Sequence, residues 1–199
     1  MRGRGPVVRL DRSGKARMID AVLRDFRGAP VAGLRTLDIG CGNGGISVHF
    51  AEANDHYAVD ITDQRTIFEP EYHFRPVTDE SLPFEDGFFD VILSNHVIEH
   101  VPDQCRHLTE IHRVLKPEGI VYLATPNKTS PIMEGHMDNN MVLRYREMAP
   151  LIRSCGFNLV EYGLTVARNP ERFHGEVRWA RLFPVPLLRL MRPLFPSHI

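Results

Sequence analysis

The stretch TLDIGCGNGG, residues 36–45, constrains this chain more than any other. An apolar run ends at Ile39, and four glycines then fall within six positions. That pattern reads as a buried strand turning sharply. Glycine adopts the positive φ a tight turn needs, and without a Cβ it lets another group approach the main chain. The following GGISVHFAEA reads as a helix, whose first N–H groups have no partner within the helix and face the same turn.

Other segments repeat the alternation. SGKARMIDAVLRDFRG places Met18, Ile19, Val22, Leu23 and Phe26 at helical spacing, with Ser13 as a cap and Gly28 and Pro30 as the stop. HYAVDI, YHFRPV, FFDVILS and IVYLATP read as strands, and Pro76 ends the second of these or marks it as an edge. PDQCRHLTEIHRVLKPEG is an amphipathic helix, expected to carry Pro102 in its first turn, to turn Leu108, Ile111, Val114 and Leu115 inward, and to stop at Pro117 and Gly119. RYREMAPLIRSCGF is a further helix closed by Gly156, and NLVEYGLTVA a further strand. The expected fold is α/β: a Rossmann-like, doubly wound, mostly parallel sheet with helices on both faces. Such sheets bind ligands at the carboxyl ends of their strands. The candidate loops are therefore 40–45, 60–63, 78–83, 94–101 and 125–136.

At 199 residues the chain has the size of one domain, and its net charge of −1 argues against a nucleic-acid partner. No segment reaches the roughly 20 apolar residues of a membrane span. Cys41, Cys105 and Cys155 are scattered, which argues against a disulfide framework and for a reducing, cytoplasmic setting.

Gly40, Gly42 and Gly45 fit a G-x-G-x-x-G dinucleotide turn, and Asp60 follows at a distance suited to ribose hydroxyls. A nicotinamide (NAD) oxidoreductase is thus one reading. Asp38, directly before the glycines, favours another: a carboxylate repels a pyrophosphate but attracts a ligand carrying an ammonium and a sulfonium. The chain also has little room for a separate substrate domain.

From about Leu34 to Asn127 the sequence resembles the class I S-adenosylmethionine-dependent methyltransferases, type 11 group, related to ubiquinone and menaquinone methyltransferases. LDIGCGNGG resembles their first motif and AVDIT their second; DESLPFEDGFFDVILSNHVIEHV and EIHRVLKPEGIVYLATPN resemble those that follow. The resemblance implies S-adenosylmethionine as cofactor and a single methyltransferase domain over 1–199. Residues 1–33 would form an N-terminal arm and helix, 34–127 the cofactor-binding core, and 128–199 the substrate-side loop and C-terminal elements. It implies that Asp38 attracts the methionine ammonium and that Gly40, Gly42 and Gly44 give room. Asp60 would accept the ribose hydroxyls, Ile61 pack on the adenine, Asp79 (with Glu80 beside it) meet the adenine amino group, and Ser94, Asn95 and His96 lie under the methionine end. The family's sheet usually has seven strands; six are counted here and the last is missing, so an unfilled slot predicts a homodimer through the C-terminal region or a rearranged tail.

His96, Glu99 and His100 also match the H-x-x-E-H spacing of a zinc peptidase. That motif needs a continuous helix, whereas FFDVILS is a strand and Pro102 turns Val101 away from helical geometry; no metal is expected. Glu99 and His100 either tie their loop together or, in the case of His100, supply a general base. His136, across the same mouth, is the rival base or a plain loop histidine. The acceptor is expected to be a small molecule or a lipid- or glycan-linked group, methylated on oxygen. The six arginines beyond Ala167 suit an anionic acceptor or are simply solvated. A cofactor-binding partner protein without catalysis is the third reading.

Overall fold

The computed structural model describes residues 12–78, 81–125 and 145–160. Asp79, Glu80, His136, the expected strand beyond 160 and the arginine-rich end lie outside them. Contacts divide the chain after Asn158, and the fold below is that of the first unit.

Five parallel strands form one sheet in the order β3-β2-β1-β4-β5: β1 Arg35–Ile39, β2 Asp55–Asp60, β3 His73–Pro76, β4 Phe89–Asn95 and β5 Leu115–Ala124. The winding reverses between β1 and β4. Helix α1 (Arg12–Arg27) and helix α2 (Ser47–Ala51) cover one face, where Ala16, Ile19, Leu23 and Phe50 pack with Val91 and Leu93. Helix α3 (Gln104–Val114) covers the other, where Ile111 and Val114 meet Leu37, Val59 and Ile92. Successive residues of β4 thus serve opposite faces, which is why it is apolar throughout. Helix α4 (Tyr145–Ser154) brings Met148 against Leu108 and Ile98.

The boundaries differ from expectation where side chains override pattern. Pro102 precedes α3, and Asp103 is its cap, accepting from the Arg106 N–H at 2.9 Å. The helix ends at Val114, short of Pro117, because Leu115 turns extended to join the sheet. Leu115 is already in β5 opposite Phe89; the register then breaks before Ile120 pairs with Val91. Ser13 lies within helix α1 rather than capping it, and α2 is only five residues long.

Arg113 pins the loop ahead of β4. Its guanidinium donates to the Leu82 and Phe84 carbonyls, each at 2.9 Å, and to Glu110 and Asp86, each at 2.8 Å. Glu110 in turn accepts from the Leu82 N–H at 3.0 Å.

Candidate functional site

At the end of β1 the chain turns through Gly40, whose N–H donates to the Val59 carbonyl at 2.8 Å. A Cβ here would run into Val97, and Gly40 has φ 71°. Gly44, at φ 85°, is closed in differently: a Cβ would meet the Tyr72 hydroxyl and the Ile67 carbonyl. Gly44 thus lets the 67–72 segment seat against the turn. Gly42 faces the Arg12 guanidinium.

Asp60, the last residue of β2, is held by main chain alone. The Gly42 N–H donates to Oδ2 and the Ile61 N–H to Oδ1, both at 2.8 Å. Each oxygen keeps further acceptor capacity. Ile61 beside it is 74% exposed, and Phe68 and Ile67 are exposed near it in sequence. Arg65, paired to Asp63, stacks over Phe74 and Phe68.

Asp38 is turned inward. It is 1% exposed and accepts from the Ser47 hydroxyl at 2.7 Å. Burial pushes its carboxyl up to about 7, against the opposing pull of Ser47 and Arg12. On α1, burial lowers the Lys15 pKa, Arg12 lowers it further, and the Glu99 charge acts the other way. Arg12 and Lys15 were not legible as site residues. Both are on α1, whose Ala16 and Ile19 pack against the sheet; Arg12 thereby faces Gly42 and Gly45, and Lys15 comes within electrostatic reach of Glu99.

Across the switch point, Ser94 Oγ and Asn95 Oδ1 are buried with no hydrogen-bond partner among the described residues. Buried polar atoms are seldom left so unless something further binds there. His96 follows, at φ 58°. Its N–H donates to the Ala124 carbonyl at 2.8 Å, and its Nδ1 stands 3.1 Å from Glu99 Oε1. Glu99 is 2% exposed and accepts from the Thr125 hydroxyl at 3.1 Å. Burial alone would raise its pKa, but the bonds from His96 and Thr125 outweigh that and hold it below the ordinary value. Residues 98–100 form a single 3-10 turn, and Val101 is extended ahead of Pro102. The H-x-x-E-H residues therefore do not lie along one helix, and Glu99 ties the loop. His100 is exposed on that turn.

A parallel sheet reversing between β1 and β4, with a glycine turn after β1, an acid closing β2 and orphaned polar atoms closing β4, defines a doubly wound α/β protein with its ligand site at the switch point. Residues 37–123 match the family model described as a methyltransferase domain. A Caulobacter vibrioides protein named ubiquinone biosynthesis O-methyltransferase is 38% identical over 135 residues, covering 62% of this chain and 48% of that protein. The chain spans about half the length of the curated relatives it matches. A SAM-dependent methyltransferase from Aquifex aeolicus superposes with a TM-score of 0.57 at 15% identity, covering 75% of this chain and 90% of that one. A Burkholderia thailandensis 1,6-didemethyltoxoflavin-N1-methyltransferase, solved with 1,6-didemethyltoxoflavin and S-adenosylhomocysteine bound, gives 0.59 at 21%, covering 78% and 72%. At these identities the structures speak to fold alone. Residues 37–123 thus carry a methyltransferase domain, and the chain is similar to the class I S-adenosylmethionine-dependent methyltransferases of the type 11 group.

Proposed function

We propose that the protein binds S-adenosylmethionine and transfers its methyl group to a hydroxyl of a small-molecule acceptor. The observation that carries this is the pair of strand ends at the switch point. On one side the Asp60 carboxylate is clamped by two main-chain N–H groups; on the other Ser94 Oγ and Asn95 Oδ1 are buried and unpaired. The residues fit the cofactor. Asp60 would accept the ribose hydroxyls, exposed Ile61 would lie on the adenine, and Ser94 and Asn95 would gain partners at the amino-acid end. Arg12 and Lys15 suit that end's carboxylate, and Asp38 balances its ammonium from beneath the turn. Gly40 and Gly42 keep the main chain approachable. Asp79 and Glu80, outside the described residues, would serve the adenine amino group, as the resemblance implies.

The bound cofactor supplies an activated methyl on a sulfonium. The chain supplies orientation and charge, and holds the acceptor for an in-line displacement. Transfer to oxygen is favoured by similarity to proteins named ubiquinone biosynthesis O-methyltransferase and malonyl-[acyl-carrier protein] O-methyltransferase; the second name implies a carboxylate acceptor, and the first supports the hydroxyl chosen here. A lipid- or glycan-linked acceptor, a cytoplasmic location and a homodimer through the C-terminal region belong to the same reading, tested by acceptor screening, fractionation and light scattering. Among the described residues no helix is long and apolar enough to cross a membrane.

The test is calorimetric titration of S-adenosylhomocysteine into the wild type and Asp60→Ala. Micromolar binding weakened about fiftyfold in the variant is expected, since a hydrogen bond to a charged group contributes roughly 1.5–3 kcal/mol. Preference for NAD would instead identify the oxidoreductase reading, and binding without methylation of any cell-extract component the non-catalytic one.

A further inference from the structure

His96 is the one non-glycine residue at positive φ among the described residues. Histidine tolerates this region better than most side chains, but at a cost of about 1 kcal/mol. The conformation carries the imidazole off the line of β4 and onto Glu99. Three bonds hold the arrangement: His96 N–H to Ala124, His96 Nδ1 to Glu99, and Thr125 hydroxyl to the second Glu99 oxygen. An ionised carboxylate only accepts, so Nδ1 carries the hydrogen and the lone pair falls on Nε2. The carboxylate is 1% exposed while the imidazole is 44% exposed. Nε2 makes no hydrogen bond among the described residues. An outward-facing imidazole with its tautomer set by a buried acid is built to take a proton. It stands at the strand end that also holds Ser94 and Asn95.

We propose that His96 is the general base of methyl transfer and that Glu99 is its positioning residue, braced by Thr125; this rests on the methyltransferase reading. The acceptor class follows. A carboxylate acceptor is already ionised and needs no base, whereas a phenolic hydroxyl, with a pKa of about 10, does. The dyad thus serves an acceptor that must lose a proton, and we take a phenolic hydroxyl as that class. In the step the hydroxyl O–H breaks and its proton goes to Nε2. The oxygen's electron pair forms the O–CH3 bond, and the S–CH3 pair returns to the sulfonium sulfur, which leaves as a neutral thioether. The imidazolium, steadied by Glu99, then releases its proton to water.

The test compares catechol with 4-nitrocatechol at pH 8, where the second is already ionised, in the wild type, His96→Gln and Glu99→Gln. Expected for His96→Gln is a loss of about a hundredfold or more in kcat on catechol, with KM and S-adenosylhomocysteine affinity within about twofold, and a loss under tenfold on 4-nitrocatechol. Glu99→Gln should show the same pattern, less steeply. Nitrogen-15 NMR should show His96 protonated on Nδ1 in the wild type and that preference lost in Glu99→Gln. Equal losses on both acceptors, no loss, or this pattern in His100→Gln instead would overturn the base. A wild type that binds S-adenosylhomocysteine but methylates neither catechol overturns the acceptor class. One that does not bind it overturns the methyltransferase reading, and an Nε2-protonated His96 by NMR overturns the dyad by itself.

Discussion

Asp60 and Glu99 stand on opposite sides of the same switch point, and each is a carboxylate that the fold has immobilised. Asp60 is held by two main-chain N–H groups of adjoining turns. Glu99 is held by two side chains, His96 and Thr125, and buried by what packs around it. A main-chain clamp persists whatever side chains surround it, so its integrity depends on the path of the glycine turn. A side-chain clamp depends on the identity of each partner. One half of the mouth is thus broken by changing backbone geometry, and the other by changing single functional groups.

The largest effect should come from attacking the backbone half. Gly44→Ala forces a Cβ into the Tyr72 hydroxyl and the Ile67 carbonyl at φ 85°. Left-handed strain and overpacking together should cost about 3 kcal/mol in urea unfolding and weaken S-adenosylhomocysteine binding as well. Unchanged stability would mean that the turn is not held by this contact, and the contrast between the halves would lose its basis.

Two buried groups, Asp38 near the end of β1 and His56 near the start of β2, sharpen the comparison through pH. Asp38, raised to about 7 by burial, binds its proton more tightly folded than unfolded, so its contribution is lost as pH rises from about 4 towards 7. His56 is lowered to about 3 by burial, and its Nδ1 lies 2.7 Å from the Thr36 hydroxyl. Here the unfolded chain binds the proton more tightly, so stability is lost as pH falls from about 6.5 towards 3. The two slopes oppose each other and nearly cancel between pH 5 and 6.5. Removing either should expose the other. Asp38→Asn should lose about 2 kcal/mol relative to the wild type on acidification from pH 7.5 to 5, and His56→Leu should gain about as much, by urea unfolding without ligand. Parallel pH profiles for all three proteins would contradict this pairing.

The smallest effect tests the far side of the mouth. Lys15 lies within electrostatic reach of both Arg12 and Glu99. Lys15→Met should weaken S-adenosylhomocysteine binding about threefold, and less at high salt, as expected for a single screened charge. A loss as large as that of Asp60→Ala would make the cationic turn of α1, not the glycine turn, the principal anchor.

Much of this was legible in the chain. Apolar runs such as FFDVILS and the glycines after Ile39 announce buried parallel strands and a tight turn, because a strand covered on both faces must be apolar throughout and a positive φ demands glycine. The strand-end position of Asp60 could be read for the same reason, since HYAVDI announces a strand that closes on an acid; its role at the ribose is part of the proposal. The end of α3 was read too late, because the break depends on Leu115 pairing with Phe89, a contact between residues 26 positions apart.

What the tertiary structure alone decided lies wherever side chains meet across the sheet. His96 and Glu99 are three residues apart and were noticed, yet nothing in their spacing says that His96 adopts a left-handed backbone or that Thr125 completes the clamp from the end of β5. Arg12 and Lys15 read as ordinary charges on an amphipathic helix until α1 docks by Ala16, Ile19 and Leu23 and brings Arg12 against the glycines and Lys15 within reach of Glu99. Periodicity and turn chemistry are local and are written along the chain. Which side chains share a mouth depends on how helices dock on the sheet, a sum of many weak contacts that no short stretch of sequence contains.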